Sequence, residues 1–328
     1  MKCAIISFFN KIKFVGLFGI MSYSIYVWHQ PILAFYRYFY STVISIKFVI
    51  NYVFFVLMLA YITYYFIEKK ININVKTRIA SILSLLLISG SAFVIYMRAG
   101  VVRDVPELGI KIDDAHRNMF AEYNDRIYQF EKDFTQTQDK IKVLCIGNSF
   151  ARDWSNILLE SQYADKIDLS YSPSFNENLV DRIKKCDYIF TFGWKNNIPS
   201  WVWEVVNMKT EVWGIGTKNF GVNNGQIYYN RQNKNYYEQT VRINPNFFKI
   251  NDKLKLQWKD KYVDLIQLSL ASDSSIVVFS DDHKFISQDC RHLTQAGAKF
   301  FADKINFERI FHQFFSYICS DKETVSSN

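Results

Sequence analysis

The chain has 328 residues, of which 49% are apolar, 17% aromatic and only 21% charged. This composition excludes a disordered protein, and the length allows two or three domains. The formal net charge of +8 comes from the first third, because residues 1–104 carry a net charge of +9 and residues 105–328 a net charge of −1. The basic excess therefore belongs to the most hydrophobic part of the chain, and no nucleic-acid partner is expected.

Three stretches without a charged residue follow one another near the N-terminus: residues 14–36, 48–67 and 79–97, of 23, 20 and 19 residues. A helix needs about 20 apolar residues to cross the hydrocarbon layer of a membrane. A signal peptide would instead show one such stretch followed by a small-residue cleavage site. We therefore predict three transmembrane helices within residues 1–100.

The short segments beside these helices differ in positive charge. The N-terminus and residues 69–78 together carry seven Lys or Arg, whereas the segments on the opposite side carry four. Positively charged loops remain in the cytoplasm, so the rest of the chain is predicted to lie on the periplasmic or extracellular side. The predicted location is thus the inner membrane, with several membrane passes.

The polar part of the chain changes its pattern at residue 141. Residues 101–140 are rich in charge and predict an amphipathic helical linker. Beyond them, short apolar strands alternate with helical patterns, which predicts an α/β domain over residues 141–320 with a parallel sheet flanked by helices. The strands are predicted at 142–146, 167–171, 188–192, 211–215 and 276–279. The helices are predicted near 150–161, 176–185, 199–208, 259–271 and 295–318, with a long insertion at 217–257.

Four cysteines would lie in an oxidising compartment on this topology: Cys145, Cys186, Cys290 and Cys319. They permit three sets of disulfide pairs, and the sequence does not choose among them. Cys145 and Cys186 occupy predicted strand positions and are equally compatible with buried thiols. No CxxC motif or His-rich cluster indicates a metal site.

A candidate nucleophile stands at the end of the first predicted strand, which runs into Gly147-Asn148-Ser149 directly before a helix. Parallel sheets bind ligands at the carboxyl ends of their strands, and a helix N-terminus favours an oxyanion. Ser149 is therefore placed where a nucleophile would act. The alternative is that Ser149 only caps the helix.

A candidate acid and base precede the last predicted helix, where Asp289 stands three residues before His292. A serine hydroxyl needs a base to remove its proton, and the base needs an acid to fix its tautomer. One tight turn lets Asp289 hold the imidazole of His292 from the same loop. An α/β-hydrolase would show a G-x-S-x-G motif, but Ala151 occupies the last glycine position.

These two segments, G-N-S at Ser149 and D-x-x-H-L-T-x-x-G-A starting at Asp289, resemble the motifs of the SGNH (GDSL-like) hydrolase family. The resemblance covers roughly residues 140–318. It implies Ser149 as the nucleophile, His292 as the general base and Asp289 as the acid that orients it. Asn148 stands where the family usually has an aspartate.

The same resemblance implies oxyanion donors beyond the backbone N–H of the nucleophile. A third motif should follow the strand at 188–192, where the chain reads Gly193-Trp194-Lys195-Asn196-Asn197. Gly193 and Asn196 are the candidates there, although Asn196 is one position later than the family spacing. The glycine of the family's second motif has no counterpart in residues 170–178, SYSPSFNEN.

The membrane part carries a second resemblance. Residues 20–31, IMSYSIYVWHQP, and residues 65–70, YFIEKK, resemble the closing segments of the membrane acyltransferase-3 family. Members of this family are O-acetyltransferases of surface polysaccharides and often continue into an SGNH domain. His29 lies in the first of these segments. An ionisable side chain within a membrane helix indicates a functional site, and a packed structural histidine is the alternative.

The family's catalytic His and Arg residues lie in earlier membrane helices that have no counterpart in this sequence. We expect no bound cofactor. The missing residues predict that a separate membrane partner, for example a full-length acyltransferase, supplies an acetyl donor derived from acetyl-CoA. The predicted function is a membrane-anchored acyltransferase or esterase in O-acetylation of a cell-surface polysaccharide, such as lipopolysaccharide O-antigen or another glycan. The alternative is a truncated, catalytically inert accessory protein or glycan-binding remnant.

Overall fold

The computed structural model describes residues 13–39, 44–70, 75–98, 104–114, 117–135, 139–221 and 234–312. These residues form two compact units: an N-terminal helical unit that ends at residue 98, and an α/β domain that begins at residue 104. Residue 320, the predicted end of the α/β domain, lies outside the described residues.

The described part of the N-terminal unit consists of helices. They are α1 (Lys13–Ile20), α2 (Ser22–Phe39), α3 (Ile46–Phe66) and α4 (Val75–Met97). By length and composition, the 25 residues of Ile46–Lys70 and the 23 residues of Val75–Met97 could each cross a membrane. The first predicted span is divided at Met21 between α1 and α2, so a third membrane-spanning helix remains a prediction.

The α/β domain has two sheets in its described part. Its strands are β1 (Ile141–Ile146), β2 (Ile167–Ser172), β3 (Tyr188–Phe192), β4 (Glu211–Ile215), β5 (Thr240–Arg242), β6 (Tyr262–Val263), β7 (Leu270–Ser272) and β8 (Ser275–Val277). The larger sheet has the order β2-β1-β3-β4-β6, and all its neighbouring strands are parallel. The smaller sheet has the order β5-β8-β7 and is antiparallel.

Helices cover both faces of the parallel sheet, as the sequence predicts. The α-helices of the domain are α5 (Met119–Asp125), α6 (Ser149–Glu160), α7 (Val180–Lys185), α8 (Ser200–Val205), α9 (Pro245–Trp258), α10 (Leu265–Ser269), α11 (Gln295–Lys304) and α12 (Phe307–Ile310). Val143 belongs to one buried apolar cluster with Trp154 of α6 and Phe301 of α11, whereas its neighbour Leu144 belongs to a second cluster with Ile183 of α7. Successive side chains of a strand point to opposite faces, so the two clusters lie on opposite sides of the sheet.

The fifth strand of the parallel sheet differs from the prediction. It is the two-residue strand β6, which lies inside the segment 259–271 that was predicted to be helical. The predicted fifth strand at 276–279 instead overlaps β8 of the antiparallel sheet. A two-residue turn joins β7 to β8, and so short a connection permits only antiparallel pairing. The apolar run at 276–279 predicts that a strand exists, but the strand with which it pairs is decided by the short turn that precedes it.

Two further helices differ from the prediction. The segment 217–257 contains α9, which starts with Asn244 as its cap and Pro245 in its first turn, two local signals of a helix start. The predicted helix at 295–318 is divided into α11 and α12, because Asn306 caps a new helix by accepting the backbone N–H of Arg309. Residues 313–318 lie outside the described part.

The predicted linker, residues 101–140, is not a continuous helix in its described part. It contains the seven-residue helix α5 and short 3-10 turns. Ile127 is fully buried in the same cluster as Trp154, and Arg126 donates to Asn156 at 2.9 Å and to Glu160 at 2.8 Å. This segment therefore packs against α6 as part of the α/β domain.

Candidate active site

Ser149 stands at the carboxyl end of β1 as the first residue of α6. Gly147 makes the turn between the two elements with φ of +137°, which residues with a side chain rarely adopt. Asn148 caps the helix, since its side-chain oxygen accepts the backbone N–H of Phe150 at 3.1 Å. Ser149 is therefore not the cap, and the interpretation of this serine as only a capping residue is wrong.

The loop before α11 fixes Asp289 and His292 through its own hydrogen bonds. Asp289 Oδ1 accepts the backbone N–H of Arg291 at 2.6 Å and that of His292 at 2.7 Å. The buried hydroxyl of Ser287 lies 2.8 Å from the carbonyl oxygen of Asp289 and 2.5 Å from that of His292. These contacts give both side chains a defined direction before any substrate binds.

The structure brings Ser149, His292 and Asp289 together, although 143 residues separate the serine from the histidine. His292 Nε2 lies 3.0 Å from Ser149 Oγ, and His292 Nδ1 lies 2.6 Å from Asp289 Oδ2. The carboxylate can only accept a hydrogen bond, so Nδ1 carries the proton and Nε2 is left to accept the serine hydroxyl. This is the arrangement in which a histidine can remove the proton of a serine nucleophile.

The charge of Asp289 is favoured by its surroundings. Partial burial raises the pKa of this carboxyl group, but the hydrogen bonds from the His292 ring and from the backbone N–H groups of His292 and Arg291 outweigh burial and lower the pKa to about 2. Asp289 is therefore ionised at neutral pH. An ionised carboxylate at this position also stabilises the imidazolium that forms when His292 takes a proton.

The predicted oxyanion donors are the backbone N–H of Ser149, Gly193 and Asn196. As the first residue of α6, Ser149 has a backbone N–H without an intrahelical acceptor. Gly193 follows β3 with φ of +110°, and its carbonyl oxygen accepts the indole N–H of Trp258 at 2.9 Å. Asn196 is exposed in a 3-10 turn and, among the described residues, has no hydrogen bond to Ser149 or His292. A role of Asn196 as an oxyanion donor remains a prediction.

Two residues of the predicted linker that are not among the predicted site residues also contact the histidine segment. The ring of Phe120 lies 6.4 Å from that of His292 in an edge-on arrangement. Asn124 is fully buried, and its Nδ2 donates to the carbonyl oxygens of Phe120 at 2.9 Å and Leu293 at 3.5 Å. The capping signal of Asn118 could have located α5, but nothing local in the sequence indicates its contact with the histidine loop.

A buried ion pair beside the site was also not predicted. Lys218 Nζ lies 2.9 Å from Asp153 Oδ2, and each side chain is 1% exposed. Burial lowers the pKa of Lys218, whereas the neighbouring carboxylate of Asp153 opposes that shift. Lys218 belongs to the segment that was predicted to be an insertion. Asp153 stands one helical turn after Ser149, a spacing that could have drawn attention to it.

The described cysteines Cys145, Cys186 and Cys290 are thiols, while Cys319 lies outside the described residues. Burial raises the pKa of the Cys145 thiol to about 12, which leaves it protonated and unreactive at neutral pH.

Within the described ranges, no three His, Cys, Asp or Glu side chains are grouped as a metal ion would require.

In the N-terminal unit, the two segments with the second resemblance contact each other. The buried hydroxyl of Ser24 donates to Glu68 Oε1 at 2.5 Å. His29 Nδ1 donates to the carbonyl oxygen of Tyr26 at 2.5 Å, and the carbonyl oxygen of His29 accepts the hydroxyl of Tyr52 at 3.0 Å. These contacts join α2 to the segment Ile46–Lys70. They satisfy polar groups between apolar helices, and a functional role of His29 remains a prediction.

No family model matches the chain, and no curated protein matches it. Among solved structures, the chain is similar to the periplasmic domain of a lipopolysaccharide acetyltransferase from Salmonella ser. Paratyphi A, with 12% sequence identity and a TM-score of 0.41. The similarity covers 60% of this chain and 98% of that one. A TM-score below 0.5 does not establish a common fold, so the architecture rests on the strands and helices described above.

Proposed function

We propose that this chain is a membrane-anchored O-acyltransferase or esterase of SGNH type that acts on a cell-envelope glycan. The observation that supports the proposal is the continuous contact from Asp289 through His292 to Ser149. Such triads are recognised by geometry and by the role that each group can perform. The resemblance of the two sequence segments to the SGNH motifs supports the same three roles.

In the first half of the proposed reaction, Ser149 Oγ attacks the carbonyl carbon of an acetyl ester, and its proton passes to His292 Nε2. Asp289 stabilises the imidazolium, and the carbonyl oxygen becomes an oxyanion near the backbone N–H of Ser149. The oxyanion then collapses, the bond to the leaving oxygen breaks, and His292 returns its proton to that oxygen. The product is an acetyl ester on Ser149.

In the second half, an acceptor hydroxyl attacks the acetyl-serine while His292 Nε2 removes its proton. The serine oxygen leaves and recovers the proton from the imidazolium. A sugar hydroxyl as the acceptor gives O-acetylation, and water gives hydrolysis. The three residues serve both outcomes, so the acceptor that reaches the acyl-enzyme decides between transferase and esterase.

The membrane part of the proposal places the α/β domain outside the cytoplasm and the acetyl supply in a separate acyltransferase partner. The excess of Lys and Arg beside one end of the apolar helices supports this topology. The resemblance of residues 20–31 and 65–70 to the acyltransferase-3 family supports an acyltransferase as the source of the acetyl group. Alkaline phosphatase fused after residue 120 should be active, and an inactive fusion beside an active fluorescent protein fusion would contradict the topology.

The experiment that tests the chemistry uses the full chain solubilised in detergent and p-nitrophenyl acetate as the acetyl donor. The wild-type chain should release p-nitrophenolate, and Ser149→Ala should lower the rate by about 10³-fold or more, because triad residues act as a unit. Ser272→Ala is the matched control, since this serine is exposed in β7 of the smaller, antiparallel sheet. Adding O-antigen polysaccharide tests transfer through new O-acetyl signals in its NMR spectrum.

Equal rates for wild type and Ser149→Ala, with both proteins folded, would reject an acyl-serine reaction. Two observations favour a second candidate function for that case. The exposed position of Asn196 and the missing second-motif glycine leave the oxyanion side with few donors. The chain would then be a non-catalytic glycan-binding or accessory protein, which a binding measurement with the same polysaccharide would detect.

A further inference from the structure

The buried pair of Asp153 and Lys218 has no part in the proton transfers proposed above. Burying two charges is costly, and a hydrophobic pair of similar volume often gives equal or greater stability. Asp153 Oδ1 is buried and, among the described residues, has no hydrogen-bond partner. The pair is therefore not explained by a fully satisfied polar network, and its position beside the triad indicates another reason for it.

Asp153 joins the helix of the nucleophile to the segment of the base. It stands four residues after Ser149 on α6, which is about one helical turn. Its Oδ2 accepts the backbone N–H of Leu293 at 3.1 Å, and Leu293 directly follows His292. One rigid turn of helix and one buried hydrogen bond thus connect the serine directly to the segment that carries the imidazole.

Lys218 contacts this carboxylate from the segment that follows β4. Its Nζ lies 2.9 Å from Asp153 Oδ2 and 3.6 Å from the ring centroid of Phe150, which is adjacent to Ser149. The same segment also contacts the histidine loop, because the backbone N–H of Phe220 donates to the carbonyl oxygen of Cys290 at 3.0 Å. The segment thus contacts the nucleophile helix and the base loop at once.

We infer that Asp153 is a positioning residue that sets the distance between Ser149 and His292 through its hydrogen bond to Leu293, while Lys218 compensates the buried charge of its carboxylate. The inference rests on the proposed acyl-serine function. The positioning role explains why a charged pair is buried next to the segment that carries His292. A displacement of about 1 Å at a reacting group can cost about 10²-fold in rate, so one such hydrogen bond matters for catalysis.

Two double variants of the full chain separate positioning from the cost of buried charge. Asp153→Asn/Lys218→Met removes both charges but keeps an oxygen that can accept the N–H of Leu293. Asp153→Ala/Lys218→Met removes both charges and that acceptor as well. The measurements are kcat/KM for p-nitrophenyl acetate, which reports the steps up to acylation, and the thermal unfolding midpoint of each variant.

We expect kcat/KM of Asp153→Asn/Lys218→Met to stay within about threefold of wild type. We expect Asp153→Ala/Lys218→Met, measured well below its unfolding midpoint, to lose about 10-fold to 100-fold. Should the alanine variant fail to fold, Asp153→Leu/Lys218→Met fills the space and also lacks the acceptor. Equal kcat/KM for a folded acceptor-free variant and the asparagine variant would overturn the positioning role. A wild-type rate no higher than that of Ser149→Ala would instead overturn the proposed function, and the positioning role with it.

Discussion

The candidate site has a base side, residues 287–293, and a predicted oxyanion side, residues 193–197, and the two differ in how their residues are held. On the base side, residues 287–293 form hydrogen bonds within their own loop and to the buried Asp153 of α6. On the oxyanion side, residues 193–197 leave β3 as an exposed turn, anchored by the contact of the Gly193 carbonyl with Trp258 and that of the Lys195 N–H with Gln257 at 3.1 Å.

This difference follows from what each side has to do. A general base must lie within hydrogen-bond distance of one proton, so fixed geometry serves it before substrate arrives. In the proposed reaction the other side admits an ester and a sugar acceptor, so it has to remain accessible. The preorganised half of this site is thus the half whose groups contact each other, and three measurements can test this contrast.

The largest effect is expected for Asp289→Asn. The amide keeps the size of the side chain but can stabilise the wrong tautomer of His292 and no longer stabilises its imidazolium, so the rate with p-nitrophenyl acetate should fall by about 10³-fold to 10⁴-fold. The control is Asp281→Asn, since Asp281 is exposed in the preceding turn. A loss of less than tenfold would show that the base side does not depend on its acid.

The comparison also explains which parts of the fold the sequence predicts. The first four strands of the parallel sheet lie within one residue of their predicted bounds, because each is a short apolar run between polar turns. The fifth strand was misplaced because β6 has two residues and no pattern of its own. The pairing of β8 is set by a local turn, whereas an apolar run indicates only that a strand exists.

The same distinction holds for the site. Asp289 and His292 are three residues apart, so one loop can bring them together and the sequence can predict their contact. The contact between Lys218 and Asp153 joins residues from two elements through tertiary packing, and no spacing in the sequence reports it. Asn196 was selected by its place in a motif, but its distance from the serine depends on the path of an exposed turn.

A smaller effect is expected on stability at low pH. The pKa of Asp289 is lowered from its ordinary value of 3.8 to about 2 in the folded chain, so ionised Asp289 stabilises the fold above about pH 4, and this contribution is lost as the pH falls towards 2. The free energy of unfolding of wild type should exceed that of Asp289→Asn by about 1 to 2 kcal/mol at pH 5, because the side chain is partly exposed. The excess should shrink by pH 2, and thermal unfolding in an uncharged detergent at both pH values measures it. A difference that stays constant over this range would show that the hydrogen bonds of Asp289 do not depend on its charge.

The smallest effect is expected for Asn196→Ala, and it tests the oxyanion side directly. Removing an asparagine that donates to the oxyanion would lower the rate by about 10²-fold to 10³-fold. Asn196 is exposed and, in the described part of the chain, has no hydrogen bond to the serine or the histidine, so its removal should change the rate with p-nitrophenyl acetate by less than about threefold. Asn197→Ala, in the same exposed turn, is the matched control.

A loss of 10²-fold specific to Asn196→Ala would mean that the turn closes over the ester during the reaction. The base would then be in place before substrate binds, whereas the oxyanion donor would reach its position only after substrate binds.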